Sequence, residues 1–132
     1  MTTRMKPVWQ VLVLAVWINL AETVRWMAYT KPRFDALYHS KGLEMPNGPI
    51  NNMLWLVWGV TIAFIVFMLA RKFSLLQTTI LAWLGAFVLI WIALWNSAVL
   101  PVEILPVVAP LSLVTVFVAA FIAKVLQPLP IT

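Results

Sequence analysis

The stretch VWQVLVLAVWINLAETVRWMAY, residues 8–29, decides the fold, because it is apolar over the length that a helix needs to cross a membrane. It also carries Asn19, Glu22 and Arg25 at intervals of three residues, which places neighbouring members on one side of a helix. A charge at the centre of a bilayer costs about 2.5–3.5 kcal/mol, so such groups normally face protein or water and have a partner. The stretch therefore predicts a first membrane helix that holds the functional residues.

The whole chain is more apolar than a soluble domain. Of its 132 residues, 64% are hydrophobic and 10% are charged, whereas soluble proteins are roughly 45–50% apolar. Three further apolar runs are long enough to cross the membrane, which takes roughly 20 helical residues. We predict one domain, residues 1–132, that is an all-α integral membrane protein. Its four transmembrane helices, residues 8–29, 52–70, 74–96 and 102–125, are expected to form an up-down bundle.

Prolines and a glycine predict departures from a simple four-helix bundle at two places. In the connection 31–50, Pro32 suits the first turn of a helix and Gly42 suits its end, which predicts a short interfacial helix in the first outer loop. In the fourth span, Pro106 and Pro110 each lack the backbone donor that a helix interior uses. We therefore expect the fourth helix to be kinked.

The distribution of positive charge predicts the orientation. Lys and Arg are more frequent at one end of the predicted bundle than at the other, and the end with more of them normally faces the cytoplasm. We therefore predict a multi-pass protein of the plasma or inner membrane with both termini cytoplasmic. The first span is expected to stay uncleaved, because Asn19 would occupy a cleavage position that needs a small residue. The cytoplasmic charges are Arg4, Lys6, Arg71, Lys72 and Lys124.

Several kinds of chemistry are excluded by composition. The chain has no Cys and one His, His39, so disulfides, thiolate metal sites and cysteine nucleophiles are absent. It has no glycine-rich phosphate loop, zinc-protease motif or histidine pair for haem. The basic residues are scattered, which disfavours nucleic acid. We therefore predict no metal, no cofactor and a lipid bilayer as the main partner, and we favour a non-enzymatic role.

Polar residues of the spans gather in the half of the bundle predicted to face outwards. We predict an outward-facing polar pocket around Glu22 and Arg25, closed towards the cytoplasm by apolar side chains. Such a pocket suits a module that binds or transports a solute or an ion. The candidate binding residues are Asn19, Glu22, Arg25, Asn51, Asn96 and Glu103.

Other roles stay open for the same residues. Glu22 and Arg25 suit an ion pair that serves folding only, Asn51 and Asn96 suit helix ends, and Glu103 suits the first turn of a helix. The chain would then be a non-catalytic accessory or structural subunit of a larger membrane complex, or a homo-oligomer. A further alternative is a lipid-modifying membrane enzyme with Glu22 or Glu103 as its acid or base. The sequence does not identify a substrate.

Overall fold

The computed structural model describes residues 6–127, and this part of the chain is helical without strands. Four helices are long and apolar enough to cross a membrane. They are α1 (Pro7–Ser40), α2 (Pro49–Ala70), α3 (Leu75–Asn96) and α4 (Val102–Leu126). The prediction of an all-α chain with four apolar helices of membrane length is confirmed. Arg4, one of the predicted cytoplasmic charges, lies outside the described residues.

Helix α1 is longer than its apolar run. Its regular part, Pro7–Arg25, passes through a π-helical segment, Trp26–Thr30, into a further α-helical part, Lys31–Ser40. The helix ends just before Gly42, whose φ of 70° lies in the left-handed region that glycine adopts without steric cost. The helical part at Lys31–Ser40 is therefore continuous with the first span.

The other helices begin with recognisable local signals. The amide of Gly48 donates to Asn51 Oδ1 at 3.2 Å, at the start of α2. At the start of α3, Gln77 N donates to Ser74 Oγ at 3.2 Å and Ser74 N donates to Gln77 Oε1 at 3.1 Å, a reciprocal cap. These bonds satisfy amides that lack partners within the helix.

Helices α3 and α4 each contain irregular backbone. In α3, a π-helical segment spans Leu84–Val88. Helix α4 opens as a 3₁₀ turn, Val102–Ile104, and its regular part begins at Leu105. Pro106 therefore falls in the first turn, where a missing amide costs little, and Pro110 lies inside the helix.

The core is built from small and aliphatic side chains. Helices α2 and α4 each pack against all three others, and alanines at the contacts let the helices approach closely. Large apolar side chains cover the outside, as expected for a surface in contact with lipid. The central cluster comprises Leu14, Ala15, Ile18, Ile62, Ala63, Val66, Phe67, Ala70, Ala82, Ala86, Phe87, Val116, Ala119, Ala120 and Ala123.

A second, smaller cluster fixes the last part of α1. Phe34 is buried with Leu100, Ile104 and Val108, which belong to the start of α4 and the turn before it. Tyr29 packs against the same cluster. The end of α1 is thus held against the first turns of α4.

At the opposite end of α4, a lysine joins two helices. Lys124 Nζ donates to the carbonyl oxygens of Ala70, at 2.6 Å, and Phe73, at 2.5 Å. The last carbonyls of a helix have no partner within it, and a cation is favoured there by the helix dipole. Lys124 therefore caps the end of α2.

A glycine determines how closely α1 and α2 approach. The side chain of Asn19 lies directly on Gly59, so that a Cβ atom at Gly59 would be 2.6 Å from Asn19 Cγ. Asn19 is also fixed by its own bond, in which Nδ2 donates to the Ala15 carbonyl at 3.0 Å. A larger residue at Gly59 would have to displace the Asn19 side chain.

We expect Gly59→Ala to lower the melting temperature in detergent, because overpacking a fixed contact typically costs about 1–3 kcal/mol. Gly85→Ala is the matched control, since a Cβ there meets nothing within 4 Å and alanine favours a helix by about 1 kcal/mol over glycine. Adding Asn19→Ala to Gly59→Ala should restore part of the loss. Equal melting temperatures for Gly59→Ala and Gly85→Ala would contradict this close contact.

Candidate functional site

Glu22 and Arg25 form an ion pair within the bundle. Arg25 Nη2 donates to Glu22 Oε2 across one turn of α1. The side chains of Arg25 and Glu22 are only 14% and 12% exposed. Residues three apart on a helix are neighbours, so the spacing in the sequence brings the two groups together. The pair is the centre of the candidate site.

Arg25 also contacts two other helices. Its Nη1 donates to the carbonyl of Val108 in α4 at 3.4 Å. Its guanidinium carbon lies 5.5 Å from the centre of the Phe87 ring in α3, within the range of a cation–π interaction. The planar guanidinium presents five N–H donors in fixed directions, so one side chain can serve several partners. Arg25 therefore joins α1 to α3 and α4.

A threonine of α4 lies beside the carboxylate of the pair. The Thr115 side chain lies near Glu22, and its hydroxyl donates to the Leu111 carbonyl at 3.1 Å. A hydroxyl has a single proton to donate, so it serves either Leu111 or Glu22. The backbone of Thr115 is held in place, because its carbonyl accepts a bond from Trp17 Nε1 at 2.9 Å.

The ion pair is not saturated with hydrogen bonds. Glu22 Oε1 and Arg25 Nε are buried, and neither has a hydrogen-bond partner within residues 6–127. Most buried polar atoms in folded proteins are bonded, and leaving one unpaired costs about 1–3 kcal/mol, more for a charged group. The site therefore has one acceptor and one donor available for a further partner.

The backbone is irregular around this pair. The π-helical segment Trp26–Thr30 begins directly after Arg25, and Phe87 belongs to the π-helical segment Leu84–Val88 of α3. In α4, Pro110 follows Val108 by two residues. Single π-helical turns occur frequently at functional sites, because the extra residue redirects side chains. Two helices thus have π-helical segments near Arg25, and a third has a proline there.

Aromatic rings form a continuous chain next to the pair. Neighbouring ring centres in this chain are between 5.3 and 6.4 Å apart, a range in which aromatic pairs attract. Trp83 also donates from Nε1 to Ser112 Oγ at 2.9 Å, which ties α3 to α4. The rings run in the order Phe34, Trp26, Trp55, Trp58, Phe87, Trp91 and Trp83.

The remaining predicted site residues lie apart from the pair. Asn19 precedes Glu22 by one turn, but its amide is directed to Ala15 and Gly59. Asn51 bonds the amide of Gly48 at the start of α2. Asn96 is exposed at the end of α3, and Glu103 is exposed in the 3₁₀ turn of α4. Of the six predicted residues, Glu22 and Arg25 are in contact with each other.

Three contributors to the site were not predicted from the sequence: Thr115, Phe87 and the Val108 carbonyl. A signal for Thr115 was available, because Ser112 and Thr115 are hydroxyl residues three apart in an otherwise apolar span. Phe87 and the Val108 carbonyl have no comparable signal, since one is an ordinary apolar residue and the other a backbone group.

Among the described residues, the site offers no cluster of metal ligands. Within residues 6–127, no group of three or more His, Cys, Asp or Glu residues is placed to hold a metal ion. No protein-family model, no curated protein and no solved structure matches the chain.

We expect Glu22→Gln and Arg25→Leu each to lower the melting temperature in detergent. Either change leaves a buried group without its counter-charge or its donor, and breaking a buried pair typically costs about 3–5 kcal/mol. The double variant Glu22→Leu with Arg25→Leu should recover part of the loss, because an apolar replacement of both members is often nearly neutral. Additive losses would exclude a mutual pair. An unchanged melting temperature for Glu22→Gln would show that Glu22 is dispensable for folding.

Proposed function

We propose that this protein is a multi-pass membrane protein that binds a polar solute or an ion at Glu22 and Arg25, as a binding or transport module. The observation that supports this function is the pair of unpartnered buried atoms, Glu22 Oε1 and Arg25 Nε. An ionisable residue inside a membrane protein is costly, and such residues commonly mark solute or ion pathways. A pair that served folding alone would gain from bonding every one of its polar atoms.

The proposed ligand offers a donor or positive charge to Glu22 and an acceptor to Arg25. The ligand would supply the hydrogen bonds that the protein does not make to Glu22 Oε1 and Arg25 Nε. Its binding would therefore compensate for the solvation that these two atoms lose on burial. The Thr115 hydroxyl supports this role, because it can turn its proton from Leu111 to Glu22 when the occupancy of the site changes. Phe87 provides an apolar wall behind the guanidinium.

The proposed arrangement of the helices is an up-down bundle. Trp17 contacts Thr115 and Arg25 contacts Val108, so residue numbers increase along α1 while they decrease along α4. Asn19 on Gly59 and Trp26 near Trp55 support the same relation between α1 and α2. We further propose a bend in α4 at Pro110, because proline removes a bond within the helix.

We propose that the protein lies in the plasma or inner membrane and that both of its termini are in the cytoplasm. Lys31–Ser40 would then lie at the outer interface, where the ion pair of Lys31 and Asp35 can reach water. The Glu22 and Arg25 site would open towards the same side.

The second candidate function is an accessory or structural subunit of a larger membrane complex. It is favoured by the low exposure of the pair and by the contacts of Arg25 with α3 and α4. In that role, the pair only holds three helices together. The two functions differ in whether polar solutes reach the pair.

Access can be measured with single cysteines, since the natural chain has none. We expect Thr115→Cys to react with a small, charged methanethiosulfonate reagent added outside the cell, because a binding site for polar solutes must be reachable through water. Ala119→Cys is the matched control, since it lies one turn further along α4 and is fully buried in the apolar core. A Thr115→Cys variant as unreactive as Ala119→Cys would favour the accessory subunit.

The orientation makes a separate prediction. Ser40→Cys, at the exposed end of α1, should react with a membrane-impermeant maleimide in intact cells. Ser74→Cys, exposed between α2 and α3, should react only after the membrane is permeabilised, and it leaves every Lys and Arg in place. The reverse labelling pattern would invert the proposed orientation.

A further inference from the structure

A cleft with a volume of about 240 Å³ lies apart from Glu22 and Arg25. It is formed by the last part of α1, the connection 41–48 and the start of α2. Its lining combines two tryptophans with charged side chains, among them Trp26, Lys31, Asp35, Glu44 and Trp55. The cleft is smaller than the roughly 300–1,000 Å³ of pockets for drug-sized ligands. Its size therefore suits a small group.

The charges of the cleft leave one carboxylate available. Lys31 Nζ lies 2.6 Å from Asp35 Oδ2, so these two charges neutralise each other. Glu44 has no ion pair or hydrogen bond through its carboxylate within the described part of the chain. The nearby Arg33 is engaged elsewhere, since its guanidinium stacks on Tyr29 at 3.7 Å. The cleft therefore carries a net negative charge at Glu44.

The two tryptophans supply the second element of recognition. The Trp26 and Trp55 rings have centres 6.4 Å apart and are inclined by 34°, and both line the cleft. Trp55 is half exposed, at 50%. The face of a tryptophan ring attracts a cation, and quaternary ammonium ligands are recognised by aromatic side chains in this way. The combination of rings and a free carboxylate suits an organic cation.

We propose that this cleft binds an organic ammonium group, held by the rings of Trp26 and Trp55 and by the carboxylate of Glu44. A metal cation is disfavoured, because Asp35 is already paired and Glu44 alone is a poor ligand set. The ammonium group has two possible sources: a free solute such as choline, or the headgroup of a zwitterionic phospholipid. The proposed ammonium site does not depend on the proposed function of Glu22 and Arg25. A Thr115→Cys variant that fails to react with the reagent would therefore not contradict it.

Binding can be measured on the full chain in maltoside detergent, which has no ammonium group. Saturation-transfer NMR on the methyl signal of choline chloride should show saturable binding, with sodium chloride holding the ionic strength constant. Glu44→Gln and Trp55→Leu should each weaken it about tenfold or more, a change in the range expected for losing one close charged or aromatic partner. Glu44 lies in an exposed connection, so Glu44→Gln tests the site without disturbing the bundle.

Two matched controls test specificity. Glu103→Gln removes an exposed carboxylate outside the cleft, and Trp95→Leu removes a tryptophan that is 67% exposed and also outside it. Both should bind choline like the parent. The proposal is overturned if the parent gives no saturable signal, if Glu44→Gln binds as well as the parent, or if Glu103→Gln weakens binding equally.

The source of the ammonium group can be determined by measuring choline binding to the protein in lipid nanodiscs of two compositions. If the headgroup of a phospholipid occupies the cleft, added choline should bind in phosphatidylglycerol nanodiscs and be displaced in phosphatidylcholine nanodiscs. If the ligand is a free solute, choline should bind in both. Absence of choline binding in phosphatidylglycerol nanodiscs, where no competing ammonium is present, would contradict the proposal.

Discussion

The ion pair of Glu22 and Arg25 is the interaction on which the centre of the bundle depends. A charge in an apolar interior is tolerated only with partners, and α1 alone supplies one partner for each member. Arg25 makes two further contacts, with Phe87 in α3 and the Val108 carbonyl in α4, while its Nε has no hydrogen-bond partner within residues 6–127. One buried guanidinium thus contacts groups of three helices at this level.

The irregular backbone of α1 and α3 lies next to this pair. A regular helix repeats its side-chain directions every few residues, whereas a π-helical turn shifts the register and allows a side chain to point differently. In α1 the shift comes after Arg25, and Lys31–Ser40 can then pack against the start of α4 through Phe34. In α3 the shift includes Phe87, the ring that faces Arg25. Backbone irregularity and buried charge therefore occur together.

The two proposed sites differ in chemistry and share one structural element. The inner site uses a charged pair with unsatisfied hydrogen bonds, while the cleft uses aromatic faces and a free carboxylate. Trp26 lines the cleft and directly follows Arg25 in the sequence. The Trp26 ring is also connected to Phe87, the ring beside Arg25, through contacts with Trp55 and Trp58. Packed rings of this kind link the environments of both sites. The two proposed sites would thus place two different binding chemistries within one bundle.

The sequence by itself determined the four apolar helices, a helix end at Gly42 and the adjacency of Glu22 and Arg25, because these depend on hydropathy, local backbone preferences and spacing along one helix. It did not determine that α1 continues through Lys31–Ser40. Only the tertiary structure decided which groups complete the site, since Thr115 is distant in sequence from the pair. A side chain on one helix carries no information about its neighbour until the helices are packed, and that packing depends on the shape of the whole core.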